Sequence, residues 1–133
     1  NHTENIHVTS IVGRYLEHAR IYCFGRENPI YYISSADMMT RNLLRRVEIA
    51  CPVNDPQIKE ELAWILKTEL EDNVKASFLL SDGSYSRKVN GLVPVSSQEV
   101  FMDQSSHWET PSLPRTSGPS LLERLKSLLH RGK

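Results

Sequence analysis

Residues 20–34, Arg20-Ile-Tyr-Cys-Phe-Gly-Arg-Glu-Asn-Pro-Ile-Tyr-Tyr-Ile-Ser34, decide the fold class. Two runs of β-branched and aromatic residues flank Gly25-Arg-Glu-Asn-Pro29, whose residues favour turns, so the stretch predicts a hairpin with strands at 20–24 and 30–34. On its N-terminal side, residues 6–12 read as a strand broken by Gly13, and residues 14–18 as a short helical turn. On its C-terminal side, the apolar run 47–53 stops at Asn54-Asp55-Pro56. That trio starts a helix, with Asn54 or Asp55 as N-cap and Pro56 near the first helical position. Ile58, Leu62, Ile65, Leu66 and Leu70 recur at helical spacing and predict one apolar face packed on the sheet. Residues 74–80 read as a further strand and 81–84 as a turn. Strands alternating with a core-packed helix give an α/β fold, a sheet flanked by helices.

With 133 residues and 15.2 kDa, the chain is one domain at most. Its composition, 39% hydrophobic and 24% charged, is that of a soluble globular protein. The formal net charge is zero, which excludes a binding mode that relies on a global positive field. No apolar run approaches the roughly 20 residues needed to span a bilayer. The start, Asn1-His2-Thr3-Glu4, has neither an initiator Met nor a signal-peptide pattern and reads as an internal point of a longer protein. Cys23 and Cys51 lie in apolar strand-like runs without metal-ligand spacing; they read as reduced core cysteines of a cytoplasmic protein, with a disulfide as the alternative. The five histidines form no H-x-H or H-x3-H pair, so no metal site is expected.

The character changes near residue 104, which divides the chain into a body, 1–103, and a tail, 104–133. Residues 104–120 are rich in Ser, Thr and Pro and read as a flexible linker. Leu121, Leu122, Leu125, Leu128 and Leu129 then line one side of a short helix. From Pro111 onward five Lys and Arg oppose a single Glu123, about +4. A basic amphipathic helix of this kind suits an anionic membrane surface or a partner, and equally packs on its own protein.

The chemistry-bearing residues crowd into about thirty positions. If a strand begins by His18, the i,i+2 spacing puts His18 and Arg20 on one face. A guanidinium grips two phosphoryl oxygens while an imidazole donates, shuttles a proton or attacks phosphorus. Arg46 and Glu48 repeat the spacing, with Glu48 placed either to orient an imidazole and accept its proton or simply to pair with Arg41, Arg45 and Arg46. Ser34, Ser35, Asp37, Arg41 and Asn42 occupy the strand-to-loop junction between the two pairs, a usual place for groups that meet a ligand. H-x-R followed by S-x-D-x-x-x-R-N is similar, in degraded form, to the H-x-K…D…S-x-N pattern of phospholipase-D-type enzymes.

The segment S-I-V-G-R-Y-L-E-H-A-R-I-Y (10–22) resembles the opening of the last part of the long form of bacterial polyphosphate kinase, a family with two phospholipase-D-like lobes. I-S-S-A-D-M-M-T-R-N-L-L-R-R-V-E-I-A (33–50) resembles the next segment of that family, and N-D-P-Q-I-K, D-N-V-K-A, S-D-G-S-Y and S-S-Q-E-V-F-M continue the likeness from about residue 4 to 102. The resemblance implies a phospholipase-D-like mixed sheet flanked by helices, an incomplete lobe with an exposed edge. It also implies transfer of the terminal phosphate of ATP to polyphosphate through a phosphohistidine that lies upstream, with magnesium held by residues outside this chain. His18 matches the second lobe's histidine, which contacts the nucleotide phosphates and acts as acid or base opposite the nucleophile, Glu48 a carboxylate of the same pocket and Arg46 a neighbouring cation, so His18 and Glu48 are the expected catalytic residues. Arg20, Ser35, Asp37, Arg41 and Asn42 join His18 and Arg46 as expected ATP and phosphate contacts by their spacing. Expected partners are ATP or ADP, polyphosphate, the remaining lobes of the parent chain and further copies in a homo-oligomer, with no nucleic acid. The expected location is cytoplasmic, with peripheral membrane contact through the tail. Met38 departs from the family's usual Trp, Leu44 from its usual polar residue, and Gly25-Arg26 from its glycine pair. The alternatives are a phospholipase-D-like phosphodiesterase, which would want Lys where Arg20 stands, and a non-catalytic polyphosphate-binding or assembly module.

Overall fold

The computed structural model describes residues 4–106. The elements run β1 (Thr9–Ile11), β2 (Ile21–Phe24), β3 (Ile30–Ser34), α1 (Thr40–Arg45), β4 (Ala50–Val53), α2 (Pro56–Glu71), β5 (Ala76–Leu79), β6 (Tyr85–Arg87) and α3 (Ser97–Ser106). The α/β class and the flanking helices are as expected. The strands do not join one mixed sheet; they form two antiparallel three-stranded sheets, ordered β2-β3-β4 and β1-β5-β6. Short hairpins impose antiparallel pairing on β2 with β3 and on β5 with β6, and the longer-range pairs, β3 with β4 and β1 with β5, are antiparallel as well.

The expected hairpin pairs Ile21 with Ile33 and Phe24 with Ile30, and Gly25 takes the positive φ of 91° that its turn requires. Strand β4 completes that sheet as an edge, where Pro52 costs no ladder bond. Helix α2 starts where the sequence places it: Asp55 accepts from the N–H groups of Gln57 (2.9 Å) and Ile58 (3.1 Å), with Pro56 at the first position. Its Leu62 is buried on Tyr31 and Val53, with Ile21, Ala63, Ile65 and Leu66 around them. Ile58 and Leu70, expected on the same packed face, are exposed at the two ends of the helix, outside its footprint on the sheet. Cys23 and Cys51 are free thiols but exposed rather than in the core, on the two outer strands of their sheet.

Three elements have no counterpart in the sequence reading. Helix α1 has no side-chain cap at Met39 and only six residues, so it left no capping signal. Strand β6 is the return arm of the turn at Asp82-Gly83, with Tyr85 opposite Leu79. Helix α3 crosses the expected boundary at residue 104 and ends at Ser106. Residues 14–18 contain no helix. The rest of the expected linker and the whole basic tail helix lie outside the described residues. No helix among those described is long and apolar enough to cross a membrane.

Candidate functional site

The site gathers at one end of the β2-β3-β4 sheet, where the chain enters β2, leaves β3 and enters β4. The Ser34 N–H donates to the Arg20 carbonyl (2.9 Å), and the Ser35 N–H to the Ile49 carbonyl (3.0 Å), so the ladders extend one step past the strands. Between Ser35 and Ile49 the chain makes an excursion through α1 that closes on itself. The Tyr22 hydroxyl ties this excursion back to β2 through the Ala36 carbonyl (2.9 Å).

Two side-chain groups form there. Arg20 Nε donates to Asp37 Oδ1 at 2.6 Å, and its Nη1 to the His18 carbonyl at 3.2 Å. The hydrogen bond from Arg20 holds the Asp37 carboxyl below the usual range, helped by the charges of Arg41 and His18. The Arg20 guanidinium is raised in turn, through its bond to Asp37 and then the fields of Asp37 and Glu48. In the second group Glu48 is held from two sides: the Ser35 hydroxyl donates to Oε2, and Asn42 Nδ2 to Oε1 (2.9 Å). Ser35 Oγ also accepts the Ile49 N–H (3.0 Å). Asn42 is 3% exposed, and among the described residues its Oδ1 has no hydrogen-bond partner.

The structure thus brings His18, Arg20, Ser35, Asp37, Arg41, Asn42 and Glu48 into one neighbourhood. The route differs from the expected one. Strand β2 starts at Ile21 and β4 at Ala50, so neither His18 with Arg20 nor Arg46 with Glu48 is displayed by strand alternation; the loop contacts do that work. Arg46 follows α1 in extended conformation, exposed and, among the described residues, without a hydrogen bond or ion pair. Among the described residues no group of three or more His, Cys, Asp or Glu side chains is placed to hold a metal ion. The two carboxylates are committed, Asp37 to Arg20 and Glu48 to Ser35 and Asn42, so this donor set does not fit a magnesium ion.

On its other side His18 borders a groove of about 650 Å³ between α2 and α3, floored by Trp64 and Phe101 in edge-to-face contact (5.4 Å). Glu17, Glu60 and Glu69 stand on its walls. Burial, and then the neighbouring Glu17 carboxylate, push Glu69 up to about 7. Carboxylates thus line the groove, whereas Arg20 and Arg41 stand with His18 around Asp37.

One further residue, Gln98, fixes the segment before His18, and Asp72 with Ser97 fixes the start of its helix; none of the three was singled out in the sequence. Gln98 on α3 accepts from Tyr15 N (3.1 Å) and donates to Tyr15 O and Glu17 Oε1 (both 2.8 Å). Asp72, 0% exposed, accepts the N–H groups of Val74 (3.0 Å), Lys75 (2.7 Å) and Ala76 (3.1 Å) on Oδ1. On Oδ2 it accepts the N–H (2.8 Å) and hydroxyl (2.9 Å) of Ser97. Both segments belong to quoted motifs, D-N-V-K-A and S-S-Q-E-V-F-M, and Ser96-Ser-Gln-Glu99 has the S-x-x-E spacing of a helix start. That spacing was the available signal for α3.

Comparison with known proteins is specific. The model of the family "Polyphosphate kinase C-terminal domain 2" matches residues 1–98. The chain is 50% identical over 103 residues to a polyphosphate kinase of Helicobacter pylori, covering 77% of this chain and 15% of that protein. It is 42% identical over 104 residues to one from Campylobacter coli, covering 78% of this chain and 15% of that protein. The crystal structure of polyphosphate kinase from Porphyromonas gingivalis superposes with a TM-score of 0.73 at 41% identity, over 79% of this chain and 16% of that one. The chain therefore spans about 15% of the length of the curated relatives it matches.

Proposed function

Because the chain belongs to the polyphosphate kinase C-terminal domain 2 family, we propose that it supplies one wall of the active cleft of a longer ATP:polyphosphate phosphotransferase. In that reaction the bond from the terminal phosphorus of ATP to its bridging oxygen breaks as a bond to a histidine nitrogen elsewhere in the parent forms, and ADP leaves. The phosphoryl group then passes to the end of a polyphosphate chain. This wall contributes charge and a proton-handling pair. Arg20, Arg41 and Arg46 offset charge on the transferring group, where phosphoryl transfer depends on electrostatic stabilisation. His18 acts as acid or base across the cleft from the nucleophile, and Glu48 is its carboxylate counterpart. Asp37 holds Arg20 in place by their ion pair. The observation that carries the proposal is the convergence of His18, Arg41 and Glu48 on the Arg20–Asp37 ion pair at one sheet end.

The same proposal places the parent in the cytoplasm as a homo-oligomer, with the body at 1–103 and a basic tail at 104–133 that touches a membrane surface or a partner. The test is ATP-dependent polyphosphate formation by the full-length parent, as wild type and as His18→Ala. Turnover is expected to fall about 10²-fold or more. An ordinary rate in the variant removes the role of His18. Absence of synthesis in the wild type, with hydrolysis of a phosphodiester instead, would favour the phosphodiesterase reading.

A further inference from the structure

We infer that Ser35 and Asn42 are positioning residues: they form a two-sided clamp that sets the Glu48 carboxylate in the cleft and do not bind the nucleotide phosphates themselves. The inference rests on the role of Glu48 in the proposed phosphotransfer. A serine hydroxyl has one proton to donate, and that of Ser35 goes to Glu48 Oε2 while its oxygen accepts the Ile49 N–H. Nothing is left to donate to a phosphate oxygen. Asn42 gives one Nδ2 hydrogen to Glu48 Oε1; its second Nδ2 hydrogen and its acceptor Oδ1 are buried with the rest of the side chain. Ionised phosphate offers acceptors only, so Oδ1 has the wrong polarity for it. With 3% exposure, Asn42 is also out of reach of a ligand in the cleft.

The clamp fits the needs of a working carboxylate. Each Glu48 oxygen is bonded from a different element, Oε2 from the end of β3 and Oε1 from α1, which fixes the rotation of the carboxylate plane. The Ile49 N–H anchors Ser35 on the residue after Glu48, so any shift of that backbone moves clamp and carboxylate together. The unpaired Oδ1 of Asn42 is consistent with a clamp whose shape is dictated by the carboxylate and not by the amide's own needs; such an orphan acceptor is otherwise disfavoured.

The experiment is steady-state polyphosphate synthesis by the full-length parent carrying Ser35→Ala, Ser35→Thr, Asn42→Ala and Glu48→Gln, and each alanine variant combined with Glu48→Gln. A clamp predicts that Ser35→Ala and Asn42→Ala lower kcat by about tenfold to a hundredfold with KM for ATP unchanged, the usual effect of misplacing a reacting group. Ser35→Thr, which keeps the hydroxyl, retains activity. In the Glu48→Gln background the alanine substitutions cost little more, because the group they act through is already lost. Ser35 is exposed, so its variants fold even where Asn42→Ala does not. A raised KM with kcat preserved would make both residues phosphate ligands and overturn the clamp, as would losses that multiply with that of Glu48→Gln. Near-wild-type synthesis by Glu48→Gln would instead refute the role of Glu48 itself. That outcome is separable from loss of the clamp alone, in which Glu48→Gln collapses and Ser35→Ala does not.

Discussion

Replacing Asp72 by alanine should be the most damaging single change in the described structure outside the site. Its carboxylate accepts five hydrogen bonds and joins the end of α2, the start of β5 and the start of α3. The N–H groups of Val74 and Lys75 can turn to water once the carboxylate is gone. Those of Ala76 and Ser97 cannot, since the two residues are 1% and 0% exposed. Two buried donors left unsatisfied, at about 1–3 kcal/mol each, give an expected loss of about 4 kcal/mol. Asp72→Asn keeps one carbonyl oxygen for the N–H groups of Val74, Lys75 and Ala76 but turns an amine toward the Ser97 N–H, so about 2 kcal/mol is expected. The same carboxyl makes stability depend on pH. Burial alone would raise it, but the hydrogen bonds from Ser97, Lys75 and Ala76 outweigh burial and hold it below its ordinary 3.8. A lowered carboxyl stabilises the fold above the unfolded value and loses that contribution as pH falls through the folded one. Urea unfolding of the wild type should therefore weaken below about pH 4, and that weakening should shrink in Asp72→Asn. Amide exchange adds a readout at the site: releasing α3 should speed exchange at the Tyr15 N–H, which Gln98 holds. A loss under about 1 kcal/mol in Asp72→Ala, or an asparagine variant as poor as the alanine one, would refute the reasoning.

Other expectations are more local. Glu69, raised from 4.5 to about 7, binds its proton more tightly folded than unfolded, so stability should fall as pH rises through that window. A fully shielded shift of that size is worth about 3 kcal/mol; half-exposure and screening leave about 1 kcal/mol. Glu69→Gln should flatten the slope in thermal unfolding between pH 5 and 8, and an unchanged slope would assign it elsewhere. A Cβ on Gly13 would come within 2.2 Å of Gln98 Oε1, so Gly13→Ala must expel the amide from its bonds to Tyr15 and Glu17. A cost of about 1–3 kcal/mol in chemical unfolding is expected, and no cost would mean that Gln98 has another place to go. Asp55→Ala removes the cap on Gln57 and Ile58 and should cost about 1 kcal/mol by the same measurement, with a change under a few tenths counting against the cap.

Sequence alone settles the features that neighbours along the chain encode. The hairpin at 20–34 comes from apolar alternation around a glycine turn, and the start of α2 from Asp55-Pro56; both stand where the residues predict them. The family was legible in two long motifs, and so were the candidate residues His18, Arg20 and Glu48. Tertiary packing sets how those residues meet. The i,i+2 spacing around His18 and Glu48 suggested strand display, yet both precede their strands, and closure of the excursion from Ser35 to Ile49 brings them together. Nor could periodicity show that Ser35 and Asn42 face Glu48, or that Asp72 reaches Ser97 twenty-five residues later. Hydrophobic period and capping report on steps of one to four residues. The contacts of Ser35 and Asn42 with Glu48, of Arg20 with Asp37 and of Gln98 with Tyr15 span six to eighty-three, and their partners exist only once the sheets and helices have packed.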